Sequence, residues 1–340
     1  MRTDTIILNE ERNVSLTVYL QEVGGEFRGV GERPAVLVIP GGGYAMCSDR
    51  EADPVTFPYL KAGYHAFILR YSLKEQAVWP NPLADYEQAM ALIRGKAGEW
   101  HVAADRIAVI GFSAGGHLAA CAATMAENRP NAAILGYPAI TGATARSYQP
   151  SAPDAAEAVD AKTCPCFVFT TRTDDLVPVG NSLRFLTALE QNEIAFESHI
   201  YANGPHGLST GDSSIDGRSF SSRYPRWVED SISWLREVLG GFGPDGPTEA
   251  LFPPRINGNR EETLSVDCSL EYLLAKPAAC ELLPMIRQIA DSSPVVSAAA
   301  RAMTLRICLL FDGCSEEKLS EIDAVLRSIP NTSGRTEPGI

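Results

Sequence analysis

A short apolar run, Ile107 to Ile110, leads directly into Gly111-Phe112-Ser113-Ala114-Gly115-Gly116, and an alanine-rich stretch with helical spacing follows. A strand that ends in Gly-x-Ser-x-Gly and turns at once into a helix holds the serine hydroxyl out at the top of a sheet. That turn constrains the fold, because a wholly apolar strand of this kind is covered on both faces. It also sets a chemical demand. A serine presented in this way needs a base, an acid and a cradle for negative charge elsewhere in the chain.

The rest of the chain supplies a sheet of the required type. Ala35 to Ile39, Ala66 to Leu69, Ala132 to Leu135 and Cys166 to Phe169 are further apolar runs, as expected of strands covered on both faces in a largely parallel sheet. Val14 to Leu20 and Phe196 to Tyr201 alternate instead, which suits strands near the sheet's edges. Helical periodicity fills the gaps: from Pro82 through Leu83, Tyr86, Met90 and Ile93, from Ser182 to Glu190, and from Arg226 to Leu239. The expected fold class is α/β, a mostly parallel central sheet with helices on both faces, over residues 1–243. Gly240-Gly241-Phe242-Gly243-Pro244-Asp245-Gly246-Pro247 breaks the pattern, so residues 244–262 are expected to form a linker. Beyond it, residues 263–330 predict a small helical module, with helices over 270–274, 280–289, 297–310 and 316–329. Ser315 caps the last of these, and residues 331–340 form a frayed tail.

The formal charge of −13 argues against nucleic acid or an anionic membrane as the main partner. No apolar stretch approaches the ~20 residues of a membrane span. The first ten residues lack the apolar core of a secretory signal, so a cytoplasmic location is expected. On that expectation the eight cysteines are free thiols, with Cys164-Pro165-Cys166 ordinary core packing rather than a metal or redox pair. No metal or cofactor is called for. The expected partner is a small molecule, and a homo-oligomer is left open.

A serine on such a turn is followed along the chain by the acid and then the base. Five histidines exist, and His199 and His206 follow Ser113 at a suitable distance. His199 lies inside an alternating strand and points at a sheet face. His206 lies in the irregular loop Asn203-Gly204-Pro205-His206-Gly207, where a side chain can reach the carboxyl edge of the sheet, so His206 is the expected base. His117, one helical turn past Ser113, is expected to pack behind it. The acid should follow the run Cys166 to Phe169, where Asp174 and Asp175 compete. The oxyanion needs preorganised N–H donors. Ala114 offers one, and Pro40-Gly41-Gly42-Gly43-Tyr44 offers Gly42 and Gly43. That loop is not a phosphate cradle, since neither Gly-Lys-Ser/Thr nor Gly-x-Gly-x-x-Gly is present.

The segments Pro40 to Tyr44, Ser48-Asp49-Arg50-Glu51-Ala52, Trp79 to Asp85, Gly111 to Leu118, Asp174 to Pro178 with Asn181-Ser182, and Gly204 to Gly207 together resemble serine esterases of the α/β-hydrolase superfamily. The branch is that of acetylesterase and acetylxylan-esterase-like enzymes. The resemblance covers residues 35–240. It implies hydrolysis of small acyl esters, acetyl groups on sugars among them, without a cofactor. It also selects Asp174, because the acid of this type stands four residues before the proline of an Asp-x-x-Val-Pro turn. Two departures stand out. Thr170-Thr171 occupies the place of a more usual His-Gly or His-Thr, and the covering segment from Pro138 to Lys162 is short, which implies a more open site. The C-terminal module resembles small helical modules that follow some bacterial esterase and glycosidase domains. Two other functions compete: a peptidase or amidase on the same fold, which would call for an accessory domain or long cap, and a binding protein that has lost its chemistry.

Overall fold

The apolar runs become strands of one eight-stranded sheet in a computed structural model that describes residues 1–216, 221–243, 246–291 and 300–331. Its strands are β1 (Arg2–Asn9), β2 (Val14–Leu20), β3 (Arg33–Ile39), β4 (His65–Arg70), β5 (Val102–Phe112), β6 (Ala132–Gly136), β7 (Cys166–Thr171) and β8 (Phe196–Tyr201). They lie in the order β1-β2-β4-β3-β5-β6-β7-β8. β3 to β8 run parallel, while β2 pairs antiparallel with β4 and β1 antiparallel with β2. β1 has no counterpart in the sequence reading. Its side chains are mostly exposed, so it lacks the apolar alternation that marks β2.

Both faces of β3 to β7 are largely buried, and successive residues feed different cores. Leu37, Ile39, Val109, Leu135 and Val168 pack with Tyr86, Met90 and Ile93 of α2 (Asn81–Gly95), following α1 (Asp53–Lys61) in the chain. Val36, Val38, Ile110, Ile134 and Phe169 pack on the other side with Val55 and Tyr59 of α1. After the four-residue α3 (Ala97–Trp100), the chain adds α4 (Ser113–Met125), α5 (Gly142–Tyr148), α6 (Gly180–Gln191), α7 (Ser213–Asp216) and α8 (Arg226–Leu239). Leu118 of α4 and Phe185 and Leu189 of α6 join the first core, and Trp227, Trp234 and Leu235 of α8 join the second. This two-sided burial is what forces the strands to be apolar throughout rather than alternating.

The chain divides into two compact units, Met1–Pro254 and Arg255–Ile340. The segment read as a linker straddles that boundary. Phe242–Gly243 and Gly246–Pro247 form a two-rung antiparallel pair, and the amide of Ala195 donates to Pro254 O (3.0 Å), holding this stretch to the first unit.

The second unit has its own core, built on Leu264, Val266, Leu270, Leu273, Leu305 and Leu326. Among the described residues its helices include α9 (Leu270–Leu274), α10 (Pro277–Leu282), α11 (Met285–Asp291), α12 (Leu305–Phe311) and α13 (Glu316–Arg327). Two expectations need correction here. The helix expected over 280–289 is two helices, because Pro284 has no N–H to give and crowds the residue before it out of helical geometry. The helix expected over 297–310 begins in residues outside those described, and the chain starts afresh at Leu305. There Thr304 Oγ1 caps the new helix by accepting from Ile307 N (3.4 Å). Ser315 caps α13, its Oγ accepting from Lys318 N (3.3 Å). Of the expected tail, residues 332–340 lie outside the described residues.

All eight cysteines are free thiols, seven of them buried. Among the described residues no helix is long and apolar enough to cross a membrane, and no cluster of His, Cys, Asp and Glu could hold a metal ion.

Candidate active site

Ser113 stands where β5 becomes α4, with φ at +53°, a strained backbone for a residue with a side chain. The turn is so tight that glycine is required on either side of the serine. A Cβ at Gly111 would lie 2.3 Å from Gly115 O, and one at Gly115 would lie 2.2 Å from Ile39 O and 2.4 Å from Pro40 O. Backbone cannot move aside as a flexible side chain can. Gly115→Ala is therefore expected to cost about 3 kcal/mol or more of stability, read from the urea midpoint. A variant as stable as the parent would contradict this packing.

The other candidate residues follow the carboxyl ends of neighbouring parallel strands, where ligands and reacting groups collect in open α/β sheets. The loop Gly41–Tyr44 follows β3, Asp174 follows β7, and His206 follows β8. His206 lies between Ser113 and Asp174. Its Nε2 is 2.8 Å from Ser113 Oγ, and its Nδ1 is 2.8 Å from Asp174 Oδ2. Asp174 is fixed before it meets the histidine. Its Oδ1 accepts from Leu176 N (3.0 Å) and Val177 N (2.8 Å), and its side chain is only 1% exposed. Asp175 is exposed and meets His206 only through the histidine's backbone amide, at 3.4 Å. Of the two carboxylates that compete in the sequence, Asp174 lies against the imidazole.

The turn carrying Asp174 and the loop carrying His206 are tied together by hydroxyls. Thr171 Oγ1 donates to Gly204 O (2.6 Å), and Thr173 Oγ1 accepts from Gly204 N (2.9 Å). The departure at Thr170-Thr171 thus has a structural use that the sequence did not suggest. Trp227 stacks on Phe169 (centroids 4.2 Å apart) and donates its Nε1–H to Ser209 O (3.0 Å), bracing the same loop from below.

The glycine loop after β3 folds back on itself, with Ala45 N and Met46 N both donating to Gly42 O (3.0 and 3.2 Å). Gly42 has φ +130° and leaves no room for a Cβ, which would sit 2.3 Å from Met46 O. The amide of Gly41 is used internally, donating to Glu51 Oε2 (2.7 Å). The amides of Gly42 and Gly43 have no protein acceptor among the described residues. Ala114 lies in the first turn of α4, where N–H groups lack intrahelical partners.

His117 lies fully buried behind the serine. Its Nε2 donates to Pro153 O (3.0 Å), and its Nδ1 accepts from the Tyr44 hydroxyl (2.7 Å). Burial lowers its pKa to about 4, so it stays neutral and ties the glycine loop to the covering segment. His199 is part of β8, with its ring stacked on Phe167. The residues 138–162 contribute only the seven-residue helix α5, and Tyr148 at its end stands against Gly43. Sequence reasoning assigned no role to Glu51 or Tyr137. Nothing in a polar segment such as Ser48 to Ala52 signals that one of its carboxylates is buried.

Two family profiles match the chain: BD-FAE over residues 26–135 and the prolyl oligopeptidase family over 142–241. The chain is 43% identical to an α/β-hydrolase enzyme from a Medee basin deep-sea metagenome library. That match covers 70% of this chain and 98% of the other, with a TM-score of 0.66. It is 28% identical to a carboxylesterase from Lactobacillus plantarum, over 72% of this chain and all of that one, again with a TM-score of 0.66. An acetylxylan esterase from Xylanibacter ruminicola is 27% identical over 265 residues, 66% of this chain and 53% of the esterase. The chain spans only 33%, 53% and 48% of the first curated relatives it matches. The chain belongs to the α/β-hydrolase superfamily.

Proposed function

We propose that this protein hydrolyses esters of small acyl groups, acetyl esters of sugars foremost, through an acyl-enzyme on Ser113. The observation that carries this reading is the position of His206, within 2.8 Å of both Ser113 Oγ and Asp174 Oδ2. With Nδ1–H donated to the carboxylate, the free electron pair of Nε2 faces the serine. His206 then takes the hydroxyl proton as Oγ attacks the ester carbonyl carbon. Charge building on the carbonyl oxygen is met by the amides of Gly42, Gly43 and Ala114, which need no reorganisation to receive it. His206 returns the proton to the departing alcohol. It next deprotonates a water, which attacks the acyl-enzyme and releases the acid and Ser113.

The covering segment supports a small acyl group. Tyr148 is close enough to Gly43 that a Cβ there would lie 3.4 Å from its ring, which narrows the space beside the glycine loop. The relative from Xylanibacter ruminicola, which acts on acetylated xylan by name, makes an acetylated sugar the natural first substrate to try. Across a p-nitrophenyl ester series and acetylated xylo-oligosaccharides, kcat/KM should be highest for acetyl. It should fall at least about tenfold by octanoyl, since mismatched methylenes each cost a fraction to a few kcal/mol. Octanoyl esters turned over as fast as acetyl esters would remove the small-acyl reading.

The match to the prolyl oligopeptidase profile favours a second reading, cleavage of peptide amides. Aminoacyl p-nitroanilides assayed beside the acetyl esters distinguish the two, and faster turnover of the anilides would favour the peptidase.

A further inference from the structure

The strongest unexplained group near the site is the carboxylate of Glu51. It is 3% exposed, and both of its oxygens are occupied. Oε2 accepts from Gly41 N (2.7 Å), immediately before the two glycines whose amides have no protein acceptor among the described residues. Oε1 accepts from the Tyr137 hydroxyl (2.6 Å). Tyr137 in turn does two things for the base. Its hydroxyl accepts from Ser209 N (3.0 Å), three residues past His206, and its ring stands edge-on to the imidazole with centroids 4.9 Å apart. Ser209 closes the circuit, its Oγ donating to Arg50 O (2.5 Å), next to Glu51 in the chain. From one buried side chain, contacts thus run to the oxyanion loop on one side and to the base on the other.

We infer that Glu51 is a positioning residue that sets the glycine loop and the His206 loop in register with each other. It rests on the reading of Ser113, His206 and the glycine amides as an ester-cleaving site. The chemistry requires a carboxylate in particular. Both neighbours, the Gly41 amide and the Tyr137 hydroxyl, are donors, and only an ionised carboxyl presents an acceptor oxygen to each. Burial raises the pKa of the Glu51 carboxyl overall, and the hydrogen bonds from Tyr137 and Gly41 and the nearby His206 offset that rise only in part. A glutamine in its place could satisfy one donor and would turn an N–H toward the other. The loop it fails to hold would then shift by a few tenths of an ångström or more, at a place where donors must meet a developing charge at hydrogen-bond distance.

The test is steady-state hydrolysis of p-nitrophenyl acetate by the full chain, its Glu51→Gln and Tyr137→Phe variants, and the double variant. A parallel measurement is the rate at which a fluorophosphonate labels Ser113. Removing a single oxyanion donor costs ~10² to 10³ in kcat, so displacing the loop that carries two of them should lower kcat by about 30-fold in Glu51→Gln. KM should stay within about threefold. Tyr137→Phe, which keeps the Gly41 contact, should lose about tenfold, and the double variant should be little slower than Glu51→Gln alone, because the two residues act as one unit. A Glu51→Gln enzyme within threefold of the parent kcat, or single effects that multiply in the double variant, would overturn the inference. Should Glu51→Gln fail to fold, Tyr137→Phe decides, and an unchanged kcat there counts against it. A parent protein that is labelled but hydrolyses no ester removes the esterase reading and leaves the labelling ratios to judge Glu51. A parent that is not labelled at all removes both.

Discussion

Replacing Ser113 by alanine should reduce kcat for p-nitrophenyl acetate by about 10⁴- to 10⁶-fold, down to the slow rate left by binding and the oxyanion donors. The size of the effect follows from what is lost. Without Oγ there is no acyl-enzyme, and the proton that His206 would accept is gone. The fold should not notice, since the alanine keeps the Cβ that the φ of +53° already tolerates. Circular dichroism and thermal midpoint should therefore match the parent. Hydrolysis at the parental rate by this variant would show that the chemistry lies elsewhere in the molecule.

Asp174→Asn should cost about 10⁴-fold in kcat, and Asp175→Asn no more than about threefold. The asymmetry comes from the backbone. Leu176 N and Val177 N hold one oxygen of residue 174, so an asparagine there keeps its oxygen on those amides and turns its NH₂ toward His206 Nδ1. The imidazole must then accept at Nδ1 and carry its proton on Nε2, where it meets Ser113 as a donor and cannot take the serine's proton. Asp175 reaches only the backbone of His206. Measuring kcat/KM for both variants decides between the neighbours, and a larger loss in Asp175→Asn would reassign the acid.

Much of this site could be read from the chain because its residues sit at interruptions. Ser113, His206 and the run Gly41 to Gly43 each follow a strand-like stretch and stand among glycines, and such punctuation survives without coordinates. The choice between Asp174 and Asp175 is of another kind. It depends on which carboxylate the turn's own amides grip, and the spacing to Pro178 reached the same residue only through family resemblance. Glu51 was out of reach. Its partners lie 10 and 86 residues away, and an acidic residue between Arg50 and Ala52 looks like any solvated charge until the fold buries it. β1 was missed because an edge strand with exposed side chains has little apolar pattern to betray it. Pro284, by contrast, was visible, and a proline in mid-pattern should have divided the helix.

The strand order has one further effect. Ser113 rides on β5, bonded to neighbours on both sides, whereas His206 hangs from β8, which among the described residues has one partner strand and half-open side chains. Edges of this kind open at lower free energy than the centre of a sheet. Cross-links from Trp227, Tyr137, Thr171 and Thr173 hold the His206 loop on the side where the described residues supply no further strand. Warming or mild denaturant will act first on that margin. Esterase activity is expected to fade before the circular dichroism of the sheet changes and to return on cooling without refolding, and loss of both together would contradict this.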